Sequence, residues 1–261
     1  MTRKMVVFIA IGLWLALVAA LKGQSRSSIR LIFDQGHGEL PPPRQMNAVA
    51  NRLGLEIRTS SGPITAKTLD GTHVLELRAP SQEFTTAEAE AIVQFVNSGG
   101  SLLLVLDEEK RQSLEKTRAN DIIAPFGMRL TSDTEYLPNT GAIAKAGEIN
   151  RADRELPYDG GRAVEGGTAF AFQLDKDGKP AQPYAAYKRV HNGGRIVVVA
   201  EGMASLFLGD PKGVRLSGGR NVPTVYWGKD SAIFMEEVLA WLAGVTPSTP
   251  AVPQAPAAQV P

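Results

Sequence analysis

Apolar positions recur along this chain with two periods that alternate. Ile29 to Phe33 is a short apolar run ending at Asp34. Past a loop carrying Pro41, Pro42 and Pro43, the residues Met46, Val49, Ala50 and Leu53 fall at helical spacing. Leu55 to Ile57 and Thr72 to Leu77 are the next strands, the latter running into Arg78-Ala79-Pro80-Ser81. Thr85 and Glu88 form a capping box ahead of a stripe of Ala89, Ile92 and Val96, broadened by Phe95 and closed by Gly99-Gly100. Leu102 to Leu106 is apolar throughout, as a strand buried on both faces must be. Strand, helix, strand, helix with apolar strands predicts an α/β fold with a mostly parallel sheet covered on both faces.

The pattern then shifts. Gln112 to Pro125 supplies a further helix, but from about Thr131 to Gly194 the helical period is lost. Phe170 and Phe172 alternate with alanines, Asp177-Gly178 is a turn signal, and Tyr184 to Val190 returns as a partner strand. A β-rich insertion over 131–194 is the expectation. Asn192-Gly193-Gly194 leads into a last buried strand, Arg195 to Ala200, and Ser231 to Ala243 forms a closing helix that turns Phe234, Val238, Trp241 and Leu242 inward and stops at Gly244.

The two ends of the chain change the picture of where it works. Arg3 and Lys4 precede an uncharged apolar run, Met5 to Leu21, and a polar stretch follows. That layout predicts a secretory signal over 1–23, cleaved after Ala20, or the same segment retained as an N-terminal membrane anchor. Either way the remainder is expected outside the cytoplasm, in a periplasmic or extracellular setting. Thr246 to Pro261 holds five prolines, four alanines and no charge, and predicts a disordered tail. About 240 residues remain for one α/β domain, enough for a full core. The formal charge is only +1, with acids and bases interspersed, so no nucleic-acid footprint is visible. The absence of cysteine removes any disulfide, thiolate metal site, thiol nucleophile or lipoprotein acceptor.

Candidate chemistry gathers where strands end. Ile29 to Glu39 reads I-R-L-I-F-D-Q-G-H-G-E, placing Asp34, His37 and Glu39 among two glycines at the carboxyl end of the first strand, where α/β folds bind ligands. Asp107 and Glu201 also follow strands. If those strands are neighbours, Asp34, His37, Glu39 and Glu201 converge on one crevice, with Asp34, His37 and Glu201 as a divalent-metal set or an acid/base pair. The bland alternative is that each acid caps a turn or helix. Tyr226 and Trp227, in the glycine-rich run 209–228, stack on a planar ligand or plug the core. His73 and His191 lack a motif and are expected at the surface or beside a turn.

A family resemblance attaches to four stretches: Asp34-x-x-His37-Gly38, Val96-Asn97-Ser98-Gly99-Gly100-Ser101-Leu102-Leu103-Leu104, the strand from Gly194 to Glu201, and the helix from Lys229 to Gly244. Together they resemble the class I glutamine-amidotransferase-like superfamily over most of Ile29 to Gly244. More narrowly, they are similar to exported or membrane-attached bacterial domains and to related domains of gliding-motility transport and intraflagellar-transport proteins. The resemblance implies a flavodoxin-like three-layer sandwich. It also implies a departure, because catalytic members carry a cysteine on a strand-to-helix elbow. Glutamine amidotransfer by that thiol is excluded here. Ser81, after Arg78-Ala79-Pro80, and Ser205, after Glu201-Gly202-Met203-Ala204, stand at elbow-like sites but lack the Gly-x-Ser-x-Gly spacing.

Three readings of function follow. One is an exported binding or interaction domain of the cell envelope, with no resident cofactor and with a small molecule or an envelope protein as partner. The second is a metal- or carboxylate-dependent hydrolase acting on an extracytoplasmic substrate such as a glycan. The third is an anchored structural subunit in which the membrane segment Met5 to Leu21 and the proline-rich tail matter more than the crevice. Fractionation of the native host should place the protein in a membrane or extracytoplasmic fraction, and the mass of its N-terminus should separate cleavage from anchoring. Recovery of intact chain from the cytosol alone would refute export.

Overall fold

The computed structural model describes residues 28–39, 41–42, 45–133, 141–158, 161–202, 214–215, 221–222 and 230–247. The signal or anchor segment, the tail from 248 onward, Ser205, Tyr226 and Trp227 lie outside these residues. Among the described residues no helix is long and apolar enough to cross a membrane.

The amino-terminal half alternates as the periodicity requires. Strand β1 (Ile29–Asp34) leads through helix α1 (Met46–Leu53) to β2 (Leu55–Ser60), and β3 (Val74–Arg78) leads through α2 (Thr86–Asn97) to β4 (Ser101–Val105). All four expected inward positions of α1 are buried. The capping box of α2 is complete: the Thr85 side chain accepts from Glu88 N and the Glu88 side chain accepts from Thr85 N. Where one helix was expected across Gln112 to Pro125, the chain makes two short ones, α3 (Leu114–Thr117) and α4 (Ala119–Ile123), then a 3-10 turn over Ala124–Phe126. Arg118, left-handed at φ 57°, breaks the run, and Pro125 cannot continue an α-helix.

Strand β5 (Arg129–Leu130) precedes the insertion, which supplies β6 (Ala142–Ala144), β7 (Arg154–Leu156), β8 (Val164–Glu165), β9 (Thr168–Leu174) and β10 (Pro180–Arg189) before β11 (Arg195–Val199). Two short strands follow, β12 (Val214–Arg215) and β13 (Asn221–Val222), and helix α5 (Ser231–Ala243) closes the described chain. The main sheet has nine strands in the order β2-β1-β3-β4-β11-β10-β9-β6-β7. Pairings from β2 through β11 are parallel and those from β11 to β7 are antiparallel. Four strands of the β-rich insertion, β10, β9, β6 and β7, thus extend the five parallel strands of the same sheet, while β8 pairs with β5 in a separate two-stranded sheet.

Chain direction decides the layers. From β1 the chain moves outward to β2, whereas from β3 it moves inward to β4. With the right-handed crossovers that parallel units follow, α1 and α2 fall on opposite faces. Helix α5 joins α1, to which Arg52 links it through Glu236. Ser101 at the start of β4 donates to the Leu242 carbonyl of α5. Helices α2 and α4 contact each other on the other face, completing the flavodoxin-like three-layer sandwich.

Helix α5 is held on several sides. Phe234, Val238, Trp241 and Leu242 are buried as the period predicts, and Met235 and Leu239 are buried as well. Apart from Glu236, which faces α1, polar groups of this helix and its cap meet the insertion: Glu237 takes Arg154 Nε at 3.0 Å and Nη2 at 2.6 Å, Asp230 N donates to the Glu155 carbonyl, and Glu155 N donates to the Asp230 carboxylate. Trp241 donates through Nε1 to Glu148 at 2.9 Å, meets Tyr187 edge-on at 5.2 Å, and lies beneath the guanidinium groups of Arg189 and Arg195. Trp241→Ala removes these contacts together and should cost about 3 to 5 kcal/mol of stability. An unmoved denaturation midpoint would show that α5 is not docked in this way.

Candidate functional site

The strand order places the reversal of chain direction between β1 and β3, and ligand crevices in such sheets open at that point, past the carboxyl ends of the strands. The β1 loop occupies it. Asp34 ends the strand buried, its Oδ1 accepting from Gly36 N at 3.2 Å and its Oδ2 lying 2.6 Å from His37 Nδ1. Space calls for both glycines, and conformation for Gly38 as well. A Cβ at Gly36 would stand 2.8 Å from the Gly62 carbonyl oxygen, and one at Gly38, at φ 73°, would stand 2.4 Å from Ser81 Oγ.

His37 is fixed on every side. Its Nε2 reaches Glu88 Oε1 at 3.1 Å, its ring lies 4.2 Å from that of Phe84, and its carbonyl accepts from both Ser81 N and Gln82 N. Ser81 Oγ donates to the Gly38 carbonyl. The loops after β1 and β3 are thereby zipped together. Glu88 serves twice, capping α2 through Oε2 and accepting from Ile64 N and His37 through Oε1. The sequence pattern assigns it to the capping box alone. The signal for its second role is its burial on the first turn of a helix whose cap faces the β1 loop, which only the fold supplies.

Glu39 completes the cluster. Its Oε2 accepts from His37 N at 2.8 Å, and no other residue donates to its buried Oε1. One ligand atom from each of Asp34, His37 and Glu39 lies within 4.8 Å of the others. Burial, then a hydrogen bond shared with the Asp34 carboxylate and the charge of that group, push the Glu39 carboxyl up to about 8, so that Glu39 keeps a proton to share with Asp34 at neutral pH. Burial lowers the His37 imidazole, but the hydrogen bond and charge of Asp34, with Glu88 and Glu39 behind, outweigh it and raise its pKa. Glu88 is moved up by burial and down further by Thr85, Ile64 N and His37, so it lies below the ordinary carboxylate range.

The remaining strand-end residues separate from this cluster. Glu201 follows β11, which lies beyond β3 and β4 from β1, so about 14 Å of sheet, three spacings of about 4.8 Å, stands between Asp34 and Glu201. The expectation that these strands are neighbours is not met. The proposed metal set of Asp34, His37 and Glu201 cannot close on one ion. Glu201 is fully buried near Tyr184, whose phenol is pushed up first by burial and then by the Glu201 charge. Asp107 organises a turn: it accepts from Glu108 N at 2.8 Å and pairs with Arg111 at 2.9 Å. That turn is fastened by the fully buried Arg162, which donates to the Asp107 and Gln112 carbonyls and to Glu109. His73 and His191 are exposed, His73 accepting from Arg30 N.

Sequence reasoning missed a buried charged pair. Glu76 and Arg78 sit two apart on one face of β3, both shielded from solvent and bonded to each other, with the Arg78 guanidinium 5.3 Å from the Phe33 ring centre. Charges at i and i+2 in an otherwise apolar strand, V-L-E-L-R, are the signal. The next residue, Ala79, is buried and left-handed at φ 52°. An elbow-like bend thus exists after β3. The side chain at its strained position is a methyl group, and Ser81 is spent on the β1 loop.

The chain is similar to the IFT52 GIFT domain over residues 31–137. That segment contains Asp34, His37, Glu39, Ala79 and Glu88 and leaves out Glu201. Intraflagellar transport protein 52 homologs of Mus musculus and Homo sapiens are 26% and 25% identical over 122 residues, which cover 44% of this chain and 28% and 27% of theirs. The match thus spans under a third of the length of these relatives. Among solved structures, the N-terminal domain of mmIFT52 superposes with a TM-score of 0.60 at 17% identity, covering 85% of this chain and 99% of that one. A GMP synthase-type protein from Thermoplasma acidophilum reaches 0.50 at 11% identity, covering 84% and 96%. At these identities the structural likeness is one of fold.

The protonation of Glu39 has a consequence for stability. Its folded value of about 8 lies above its ordinary 4.5, so its burial carries no penalty below about pH 4.5. The penalty grows as pH rises from there through about 8, where the fold too must give up the proton. His37, also raised, loses stabilisation in the same direction. In chelated buffer, Glu39→Gln, which keeps the neutral shape, should melt at the same temperature as the parent near pH 5 and several degrees higher near pH 8. Parallel pH profiles for the two proteins would contradict this.

Proposed function

We propose that this chain is a non-catalytic interaction module, an amidotransferase-like α/β domain that serves assembly with other proteins instead of turnover. The observation that carries the reading is the bend after β3. Where an elbow would present a nucleophile, Ala79 presents a methyl group, and the adjoining Ser81 hydroxyl and backbone N–H close the crevice against the β1 loop. Chemistry on a substrate needs a reactive group and an approach to it, and among the described residues this edge of the sheet offers no free nucleophile between β1 and β3.

The likeness to the IFT52 GIFT domain supports the same reading, since those relatives are named for a transport system and share the half of the fold that contains this loop pair. Export belongs to the proposal as well. The charged start and apolar run from Met5 to Leu21 would deliver the domain to the cell envelope, cleaved or anchored, where an envelope protein is the expected partner.

Two measurements test it. The purified full chain should leave ester and glycoside probes unhydrolysed, and cross-linking in its native host should recover it in a defined complex with an envelope protein. Hydrolysis above background that disappears in Ser81→Ala or His37→Ala would overturn the proposal in favour of an enzyme.

A further inference from the structure

The nine-stranded sheet has two edges, and the chain treats them differently. At β7 the edge is closed from within: Glu155 N donates to the Asp230 carboxylate, and the Glu155 carbonyl accepts from Asp230 N. At β2 it is open. Gln35 N donates to the Ser60 carbonyl, so Ser60 turns its backbone groups toward β1, and at every second residue Arg58 and Glu56 do the same. Leu55, Ile57 and Thr59 therefore direct N–H and C=O outward, and no group among the described residues bonds to them there. Such an edge is a template for another strand. Space is open past both ends of β2, since a Cβ at Gly54 or Gly62 would meet nothing within 4 Å.

The side chains of β2 say which strand fits. Charges on an edge usually guard against pairing, but here one of each sign flanks Ile57: Glu56 before it and Arg58 after it, on one face, with Arg58 Nε 2.7 Å from Glu56 Oε1. We propose that β2 pairs antiparallel with β2 of a second copy of this chain, about a two-fold axis through Ile57. In that register Glu56 of each copy stands opposite Arg58 of the other, Leu55 stands opposite Thr59, and Ile57 meets Ile57. The three residues with outward backbone groups then face one another, so every outward N–H meets an outward carbonyl. Glu56 and Arg58 fall at the non-hydrogen-bonded positions, where opposed side chains come closest. A parallel pairing in register would set Glu56 against Glu56 and Arg58 against Arg58. The contact is isologous and closes on itself, joining two nine-stranded sheets into one. A pairing this short buries less than a standard interface, so the dimer is a reversible one in the micromolar range. The inference goes beyond the assembly role proposed above, because its partner is a second copy and it holds whether or not an envelope protein also binds.

Sedimentation of the full chain, in a mild detergent that accommodates Met5 to Leu21, tests it. The parent should pass from monomer to dimer across the micromolar range. Glu56→Arg and Arg58→Glu each replace two attractive pairs with two repulsive ones and should raise the dissociation constant about tenfold. Mixed together, these two variants should dimerise as the parent does, because every arginine of one then faces a glutamate of the other. Thr59→Pro, which removes an outward N–H and leaves the bonds to β1 in place, should also weaken the dimer. A parent that stays monomeric across that range overturns the proposal. So does a dimer indifferent to Arg58→Glu and Thr59→Pro, which is held elsewhere, or a mixture of the charge variants that associates no better than either alone.

Discussion

The end of β1 must bury an imidazole and three carboxylates, and that constraint organises everything at the carboxyl edge of the sheet. Charged groups in such a place persist only when each is bonded to another. Asp34 brings the strand, Glu88 brings α2, and His37 spans them. Because Glu88 also accepts from Ile64 N, the segment after β2 is drawn into the same set of bonds. The loop after β3 is secured by two N–H groups donated to the His37 carbonyl. Three stretches of chain, the β1 loop, the segment at Ile64 and the run from Ser81 to Glu88, are thus positioned around one histidine.

That arrangement explains why the fold's usual binding place is occupied by the protein itself. A doubly wound sheet opens a crevice where its chain direction reverses, here between β1 and β3. Gly36 and Gly38 let the β1 loop fold into that opening, since neither position has room for a side chain. Ala79 permits the β3 loop to turn back toward it. The outcome is a pair of loops bonded to each other across that edge, in a chain whose likeness to a GMP synthase-type protein is one of fold.

The other half of the sheet is governed by different bonds. Strands β10, β9, β6 and β7 continue the parallel half with antiparallel pairings, and α5 lies against them through Glu237 with Arg154, Asp230 with Glu155, and Trp241 with Glu148 and Tyr187. An apolar helix would slide on an apolar sheet. Its charged residues, paired with specific partners on the insertion, fix the register of the helix against the sheet.

Local pattern determined the elements of this protein, because period, capping and turn chemistry act within a few residues. The apolar stripe of α1, the Thr85–Glu88 box, the buried strands β3, β4 and β11 and the inward face of α5 were legible for that reason, as was the strand-end loop holding Asp34, His37 and Glu39. Strand order was not legible, since it depends on which distant strands pair. It separates Glu201 from Asp34 and joins the insertion to the main sheet. Nor could the sequence show Glu88 as a partner of His37, 51 residues away, or decide that Ser81 holds a loop instead of meeting a substrate. Those roles come from hydrogen bonds between segments brought together only when right-handed crossovers set α1 and α2 on opposite faces of one sheet, and burial then leaves each polar group no partner but its new neighbour.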